Sequence, residues 1–128
     1  MTDALHARVR AFIAGAAEDF DTLACDIARF QARAVPAVGR LFAAGGIDPS
    51  RLTRPADIPA VPTDAFRLRR IAAHDASLDT RVFETSGTTG GKALRGRHAM
   101  RTTDTYRAAA LTWGKRMLLE RRDGMFVG

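Results

Sequence analysis

Prolines set the main limit on how this chain can fold. Four of its five prolines fall between positions 49 and 62, at Pro49, Pro55, Pro59 and Pro62. Because proline lacks a backbone N–H and clashes with the preceding helical turn, this stretch cannot form a continuous helix. We expect residues 47–66 to form an extended strap over a larger body, with a short helical turn beginning at Thr63 or Asp64. The apolar side chains that the strap offers for burial are Ile58, Val61 and Phe66.

The chain before the strap has the apolar spacing of amphipathic helices. One stripe comprises Leu5, Val9, Phe12, Ile13 and Ala16, and a second comprises Leu23, Ile27 and Phe30. Both follow the period of a helix that buries one face. We expect Asp3 to cap the first helix and Asp21-Thr22 to begin the second. Pro36 is placed to open a third helix, which Gly45-Gly46 ends.

Beyond the strap the pattern changes to strand, loop and helix. Arg81-Val82-Phe83-Glu84-Thr85 predicts a β-strand, because β-branched and aromatic residues favour strands. A glycine-rich loop follows, and a helix is then predicted from Thr102 or Thr103 to about Glu120. Its expected apolar side comprises Tyr106, Ala109, Ala110, Trp113, Met117 and Leu118. Met125-Phe126-Val127 has the composition of the start of another strand.

These elements predict an α/β protein. We expect N-terminal helices followed by the first strand-loop-helix unit of a larger domain, with an incomplete sheet. The chain divides into a helical region (1–46), the strap (47–66) and a region of strand, loop, helix and next strand (79–128), all within one partial domain. Because a core strand would begin just before Gly128, we expect a parallel sheet with further strands, and a chain that is the N-terminal part of a longer polypeptide.

Composition excludes several classes of protein. Hydrophobic residues make up 46% and charged residues 27% of the chain, which is typical of a globular protein and not of a disordered one. No apolar run reaches the roughly 18 residues that a membrane span needs, and no signal peptide is evident. Cys25 is the single cysteine, so no internal disulfide is possible. We expect a cytoplasmic protein, with Cys25 as a small buried residue of the second helix.

The formal net charge of +6 has two interpretations. A basic surface for nucleic acid is one of them. The other is genome base composition, because all basic residues except Lys92 and Lys115 are arginines scattered among many alanines. The chain has no basic stripe with interleaved aromatic residues and no zinc-finger spacing. We therefore expect no nucleic-acid partner.

The glycine-rich loop carries the chemical signal. It consists of Thr85, Ser86, Gly87, Thr88, Thr89, Gly90, Gly91 and Lys92. Its glycines allow a close approach of the backbone to a ligand, and its hydroxyl and N–H groups can donate to phosphate oxygens. The lysine adds a mobile positive charge. Arg95, Arg97 and Arg101 follow closely and offer further charge-assisted contacts. These residues favour a polyanionic ligand.

Two common phosphate loops do not fit this segment. In the Walker A pattern a glycine would stand at Ser86, and a serine or threonine would stand at Ala93. The glycine spacing of the Rossmann fingerprint is also absent. A surface turn without a ligand is a further alternative, but the predicted strand before the loop and helix after it favour a binding site.

The run Thr85–Gly90 resembles the Ser/Thr-Ser-Gly-Thr-Thr-Gly signature of the adenylate-forming superfamily, which includes acyl-CoA synthetases, peptide-synthetase adenylation domains and luciferases. The surroundings are similar to the acyl-protein synthetase (LuxE-type) branch, through Asp57–Arg67, Val82–Gly90, Arg97-His98 and Tyr106. The phenylacetate–CoA ligase branch shares this layout and is the nearest alternative. The resemblance covers residues 50–110. The chain has Gly90-Gly91-Lys92-Ala93 where the superfamily usually continues Gly-x-Pro-Lys.

The resemblance implies an ATP-dependent ligase that converts a carboxylic acid, especially a long-chain fatty acid, to an acyl-adenylate. ATP and Mg²⁺ are the implied cofactors, and the loop would hold the β- and γ-phosphates. The acyl group would pass to a protein or thiol, with a reductase as a further partner. The superfamily's Tyr-Gly-x-Thr-Glu motif does not occur in these 128 residues. We therefore expect no turnover by this chain alone, and an inactive nucleotide-binding remnant is an alternative.

The histidines leave several interpretations open. His98 either lies near the phosphates or the acyl channel, or serves as a capping or hydrogen-bonding residue before the predicted helix at Thr102. His6 and His74 have no evident partner in the sequence. The spacing of Cys25 and the histidines is not that of a metal site, so we predict none.

Overall fold

The structure, a computed structural model, describes residues 1–85 and 95–118. In chain order its elements are α1 (Asp3–Ile13), α2 (Phe20–Ala34), α3 (Pro36–Ala44), α4 (Ala65–Leu68), β1 (Arg81–Glu84), β2 (Arg97–Met100) and α5 (Asp104–Leu118). Short 3-10 turns lie at Pro49–Arg51, Pro55–Asp57 and Ala76–Leu78. The described chain is thus mostly helical with a two-stranded antiparallel sheet, which agrees with the coarse α/β class predicted.

The chain forms two compact units. The first comprises Met1 together with Asp19–Thr102, and the second comprises Thr2–Glu18 together with the chain from Thr103 onward. The core helices α2 and α3, the strap and the strand pair belong to the first unit, and α1 and α5 belong to the second. The three-part division of one domain along the sequence stays a prediction.

The first two helices begin at residues other than those predicted. Thr2, and not Asp3, caps α1, because the Thr2 hydroxyl accepts a hydrogen bond from a backbone N–H in the first turn. The second helix begins before Asp21, because the Asp19 carboxylate accepts hydrogen bonds from the backbone N and the Oγ1 of Thr22, at 2.8 and 2.6 Å. Several residues suitable for capping stand next to each other at both sites, so the sequence alone misplaces the start.

The core of the first unit is formed mainly by α2 and α3. Its buried members are Cys25, Ala28, Val35, Val38, Phe42 and Leu52. Cys25 is 1% exposed, which confirms that it is a buried residue. The helices come close at Gly39, where a Cβ atom would lie 2.7 Å from the carbonyl oxygen of Ala32. As predicted, α3 opens at Pro36 and ends at a glycine cap, Gly45.

The strap lies against this core. Ile58 and Val61 are partly buried and pack against the core cluster, as the sequence predicts. The strap contains two 3-10 turns, and the predicted helical turn after it is α4, which begins at Ala65 behind Asp64. The third apolar residue, Phe66, packs its ring against His98 with centroids 4.4 Å apart.

The strand pair corrects the predicted strand-loop-helix order. The predicted strand is present as β1, but a second strand, β2, lies between the loop and α5. The two strands are antiparallel, with Arg81 opposite Met100 and Glu84 opposite Arg97. Arg97-His98-Ala99-Met100 has little of the β-branched character by which a strand is predicted, so only its pairing with β1 makes it a strand. The predicted strand at 125–127 lies outside the described residues.

The second unit pairs α1 with α5. His6 Nδ1 and Thr105 Oγ1 lie 2.9 Å apart, and Arg8 forms an ion pair with Glu18. The helix α5 begins at Asp104, close to the predicted start, and is described to Leu118. Its expected apolar side is largely exposed, with Trp113 66% and Leu118 70% exposed. In the part of this unit that the structure describes, α1 is the one helix beside α5, so no residue of α5 is buried.

Among residues 1–85 and 95–118, no helix combines the length and the apolar character needed to cross a membrane.

Candidate functional site

The two ends of the loop are joined by a pair of hydrogen bonds. Directly after β1, the Thr85 N–H donates to the Gly96 carbonyl oxygen at 3.0 Å. The Gly96 N–H, directly before β2, donates back to Thr85 Oγ1 at 3.0 Å. We call these two reciprocal bonds the clasp. The clasp continues the strand pairing by one step, so residues 86–94 begin and end at neighbouring points of the same hairpin.

Most of the predicted phosphate-binding residues lie outside the described part of the chain. They are Ser86, Gly87, Thr88, Thr89, Gly90, Gly91 and Lys92. The exception is Thr85, whose side chain accepts the clasp hydrogen bond from Gly96. The role of Thr85 in the described structure is therefore to close the base of the loop.

Gly96 is a site residue that the sequence analysis missed. It is buried, and a Cβ atom there would lie 3.4 Å from Thr85 Cγ2 and 3.6 Å from Phe66 Cβ. A Cβ atom would thus be in van der Waals contact with both residues, and only a side chain larger than that of alanine would press on the clasp and the helical turn α4. The sequence gives a glycine at this position but no sign of a close approach, because the Phe66 contact comes from a distant part of the chain.

Two of the three arginines after the loop share one carboxylate. Arg95 Nη1 lies 3.7 Å from Glu84 Oε2, and Arg97 Nε lies 3.4 Å from Glu84 Oε1. The third, Arg101, is turned elsewhere, since its Nη2 lies 3.5 Å from the carbonyl oxygen of Met1. The structure thus brings Arg95 and Arg97 together on Glu84, beside the ends of the loop.

Arg95 has a donor without a partner in the described structure. Its Nε atom is buried and forms no hydrogen bond with any described residue. A buried polar group without a partner destabilises a protein by about 1–3 kcal/mol, and by more when the group is charged. Since Gly96 follows it directly, this donor lies at the base of the loop, where an acceptor from the loop or from an anionic ligand would satisfy it.

His98 is not the cap of α5, and the expectation that it lies near bound phosphates or an acyl channel stays a prediction. It lies in β2 opposite Phe83, and its ring packs on that of Phe66 at an interplanar angle of 33°. It therefore does not cap α5, which begins at Asp104. The contact joins α4 to the strand pair.

His74 belongs to a polar cluster that the sequence does not reveal. Its Nε2 lies 2.8 Å from Asp79 Oδ1, and Arg70 donates to both the Asp79 carboxylate and the His74 carbonyl oxygen. The hydrogen bond from Arg70, and then that from His74, lowers the pKa of Asp79 below its ordinary value. The cluster closes the turn between α4 and β1.

The described residues offer little to hold a metal ion directly. No group of three or more histidine, cysteine or acidic residues has the arrangement of a metal site in the described ranges. Glu84, the carboxylate beside the loop ends, faces two arginines.

No family model matches the chain, and neither the curated proteins nor the solved structures include a match to it.

Proposed function

We propose that this chain provides the phosphate-binding loop of an ATP-dependent acyl-activating ligase of the acyl-protein synthetase type. The proposed substrate is a carboxylic acid of the fatty-acid class, and the proposed acceptor of the acyl group is a protein or thiol. The phenylacetate–CoA ligase type, with coenzyme A as acceptor, is the alternative within the same chemistry. The proposal rests on the sequence of the loop.

Two structural observations support the proposal. The clasp fixes both ends of the loop on one hairpin, and the Nε of Arg95, which has no partner among the described residues, lies at its base. A phosphate-binding loop needs a fixed base, because donors held in place lose little conformational entropy when the ligand binds. The cationic side chain beside the base adds attraction for a polyphosphate.

The expected contribution to catalysis is electrostatic. The loop hydroxyls and Lys92 would bind the β- and γ-phosphates, and they would neutralise charge as a carboxylate attacks the α-phosphorus and pyrophosphate leaves. Mg²⁺, when bound with ATP, supplies further charge neutralisation on the phosphates.

Nucleotide binding tests the loop assignment directly. Lys92→Ala should weaken binding of a fluorescent ATP analogue by about tenfold, the range expected for one charge-assisted hydrogen bond. Gly87→Val should weaken it as well, by blocking close approach of the phosphates. Lys115→Ala is the matched control, because it removes the only other lysine, from the exposed surface of α5. If the Lys92 and Lys115 variants bound the ATP analogue equally well, the loop would not be part of the nucleotide site.

ATP–pyrophosphate exchange tests the reaction. It is measured on the natural polypeptide that contains this chain, with a panel of fatty and aryl acids. Exchange that depends on an acid identifies acyl-adenylate formation, and the preferred acid distinguishes the two ligase types. Binding of ATP without exchange for any acid would contradict the ligase and leave the nucleotide-binding remnant.

A further inference from the structure

A cleft lined by arginines lies beside the hairpin, within the first unit. Its volume is about 400 Å³, and its walls come from α4, the turn after it and the strand pair. The arginines in its lining are Arg67, Arg69, Arg70 and Arg97. The volume lies within the range of roughly 300–1,000 Å³ that is typical of small-molecule sites. It does not include the loop residues to which the sequence assigns ATP.

One of these arginines is fully engaged within the protein. Arg70 donates to the Asp79 carboxylate and to the carbonyl oxygen of His74. Asp79 itself lines the cleft and keeps a lowered pKa, first because of Arg70. Arg70 and Asp79 therefore form a neutral pair that shapes one wall and leaves the other arginines to carry charge.

The remaining arginines are weakly paired. Arg67 Nη1 lies 3.4 Å from Asp64, which is 78% exposed, and Arg97 Nε lies 3.4 Å from Glu84. Such exposed pairs contribute only about 0–1 kcal/mol each, so an anion can replace the carboxylate at small cost. Arg69 forms no ion pair within the described ranges of the chain.

The residues that line the cleft carry an excess of positive charge. Its charged lining consists of four arginines, Arg67, Arg69, Arg70 and Arg97, and one carboxylate, Asp79. Four cations against one anion favour a ligand with more than one negative charge. A phosphate monoester is such a ligand near neutral pH, and the planar guanidinium group can bind its oxygens in pairs.

Apolar side chains stand beside the arginines. Leu68 is 79% exposed and Val82 is 40% exposed, and both line the cleft. Ala99, directly opposite Val82 in the strand pair, also lines it. An organic group attached to the phosphate would cover these side chains and gain from the burial of apolar surface.

The geometry points to this cleft as a binding site for a phosphate monoester that carries a small apolar group. The site goes beyond the proposed function, because it uses arginines of α4, of the turn after it and of β2 instead of the loop. Once bound, the phosphate contacts Arg69, Arg67 and Arg97, and its organic group covers Leu68 and Val82. A polynucleotide would need a longer basic surface than one cleft provides, since its affinity comes from many phosphate contacts.

Titration of the 128-residue chain with hexyl phosphate, measured by isothermal titration calorimetry, tests the site. We expect binding at one site, tighter than that of inorganic phosphate and of hexanoate. Arg69→Gln should weaken it by about tenfold, the loss expected for a charge-assisted contact. Arg40→Gln is the matched control, since it removes an exposed arginine of the same unit, on α3, that does not line the cleft. It should bind hexyl phosphate as the natural chain does.

Three further measurements separate the possible outcomes. Leu68→Ser should reduce the preference for hexyl phosphate over inorganic phosphate. Because Leu68 is exposed, this substitution should not impair folding. Lys92→Ala should leave hexyl phosphate binding unchanged, and Arg69→Gln should leave ATP binding unchanged, so that this site and the loop fail or succeed independently. Arg69→Lys, which keeps the charge without the paired donors, should bind with intermediate affinity.

Several results would overturn the proposal. They are the absence of hexyl phosphate binding, equal weakening by Arg69→Gln and Arg40→Gln, and hexanoate binding as tightly as hexyl phosphate. If ATP displaced hexyl phosphate, and if Lys92→Ala weakened the binding of both ligands equally, the cleft and the loop would be one site. Displacement by a short single-stranded oligonucleotide, with a steep dependence on salt, would assign the arginines to nucleic acid instead.

Discussion

At the scale of single residues, Thr85 has a structural role in addition to the ligand-binding role that the sequence predicts. It is the first residue of the signature run, yet in the structure its backbone and its hydroxyl both bind Gly96. Threonine suits this position, because its β-branched carbon favours the extended backbone of a strand and its hydroxyl accepts the N–H that the strand pairing leaves free. The residue joins the fold to the site.

Thr85→Val tests the clasp. Valine has nearly the same shape but no hydroxyl, so the buried Gly96 N–H loses its acceptor. We expect the free energy of unfolding to fall by about 1–3 kcal/mol, measured by urea unfolding with circular dichroism. Thr85→Ser keeps the oxygen and should retain most of the stability. A serine variant as unstable as the valine variant would mean that the methyl group, and not the hydrogen bond, is what matters.

At the scale of elements, two helical glycines distinguish the effect of close helix packing from the effect of intrinsic helix propensity. Gly39 in α3 and Gly114 in α5 both lie inside helices, but their surroundings differ. A Cβ atom at Gly39 would lie 2.7 Å from Ala32 O, whereas one at Gly114 would meet nothing within 4 Å. The same substitution should therefore have opposite effects at the two positions.

Alanine at each of these two positions gives the element-scale prediction. Gly114→Ala should stabilise α5 by up to about 1 kcal/mol, because alanine favours the helix over glycine. Gly39→Ala should destabilise the first unit by about 1–3 kcal/mol, as overpacking does, because α2 and α3 must move apart. Thermal unfolding by circular dichroism measures both. A stabilised Gly39→Ala protein would show that the two helices pack less closely than the structure has them.

How much of these elements the sequence predicts depends on how local their causes are. The three N-terminal helices follow from the spacing of their own apolar residues, and Pro36 and Gly45 set the bounds of α3. The strand β2 could not be predicted, because it depends on pairing with β1 across the loop. For the same reason the sequence predicts a role for Lys92 but not the close contacts of Gly96 or the buried nitrogen of Arg95. The surroundings of these two residues come from distant parts of the chain.

At the scale of the whole molecule, the first unit has a set of surface aspartates that accept hydrogen bonds, most of them from residues two or three positions away along the chain. Five aspartates of this unit have a lowered pKa: Asp19, Asp48, Asp57, Asp75 and Asp79. Four owe it first to a hydrogen bond from a side chain, and Asp75 owes it first to the backbone N–H of Ser77. All five therefore favour the folded state when they are ionised.

This predicts an acid-sensitive first unit. A carboxyl group with a lowered pKa in the folded state stabilises it above the ordinary value of 3.8, and this stabilisation is lost as the pH falls below 3.8 through the folded pKa. The thiol of Cys25, buried in the core of this unit, should react slowly with a dithiodipyridine at pH 6 and faster as the pH falls below about 4, as the unit opens.

A matched substitution makes the acid prediction specific. Asp19→Asn keeps a capping side chain on α2 but removes one titrating group, so its unfolding should depend less on pH than that of the natural chain. If the unfolding of the Asp19 variant depended on pH as that of the natural chain does, the Asp19 cap would have no role in acid unfolding.

The clasp also bears on how such a protein can evolve. Because Thr85, the first residue of the loop, and Gly96 bind each other, the hairpin closes at the ends of the loop and not through its interior. Selection for a folded chain then falls on the two bordering positions, and selection for a ligand falls on residues 86–94 between them. A new loop of similar length, grafted between the same two positions, would change the ligand preference while the rest of the unit is inherited unchanged.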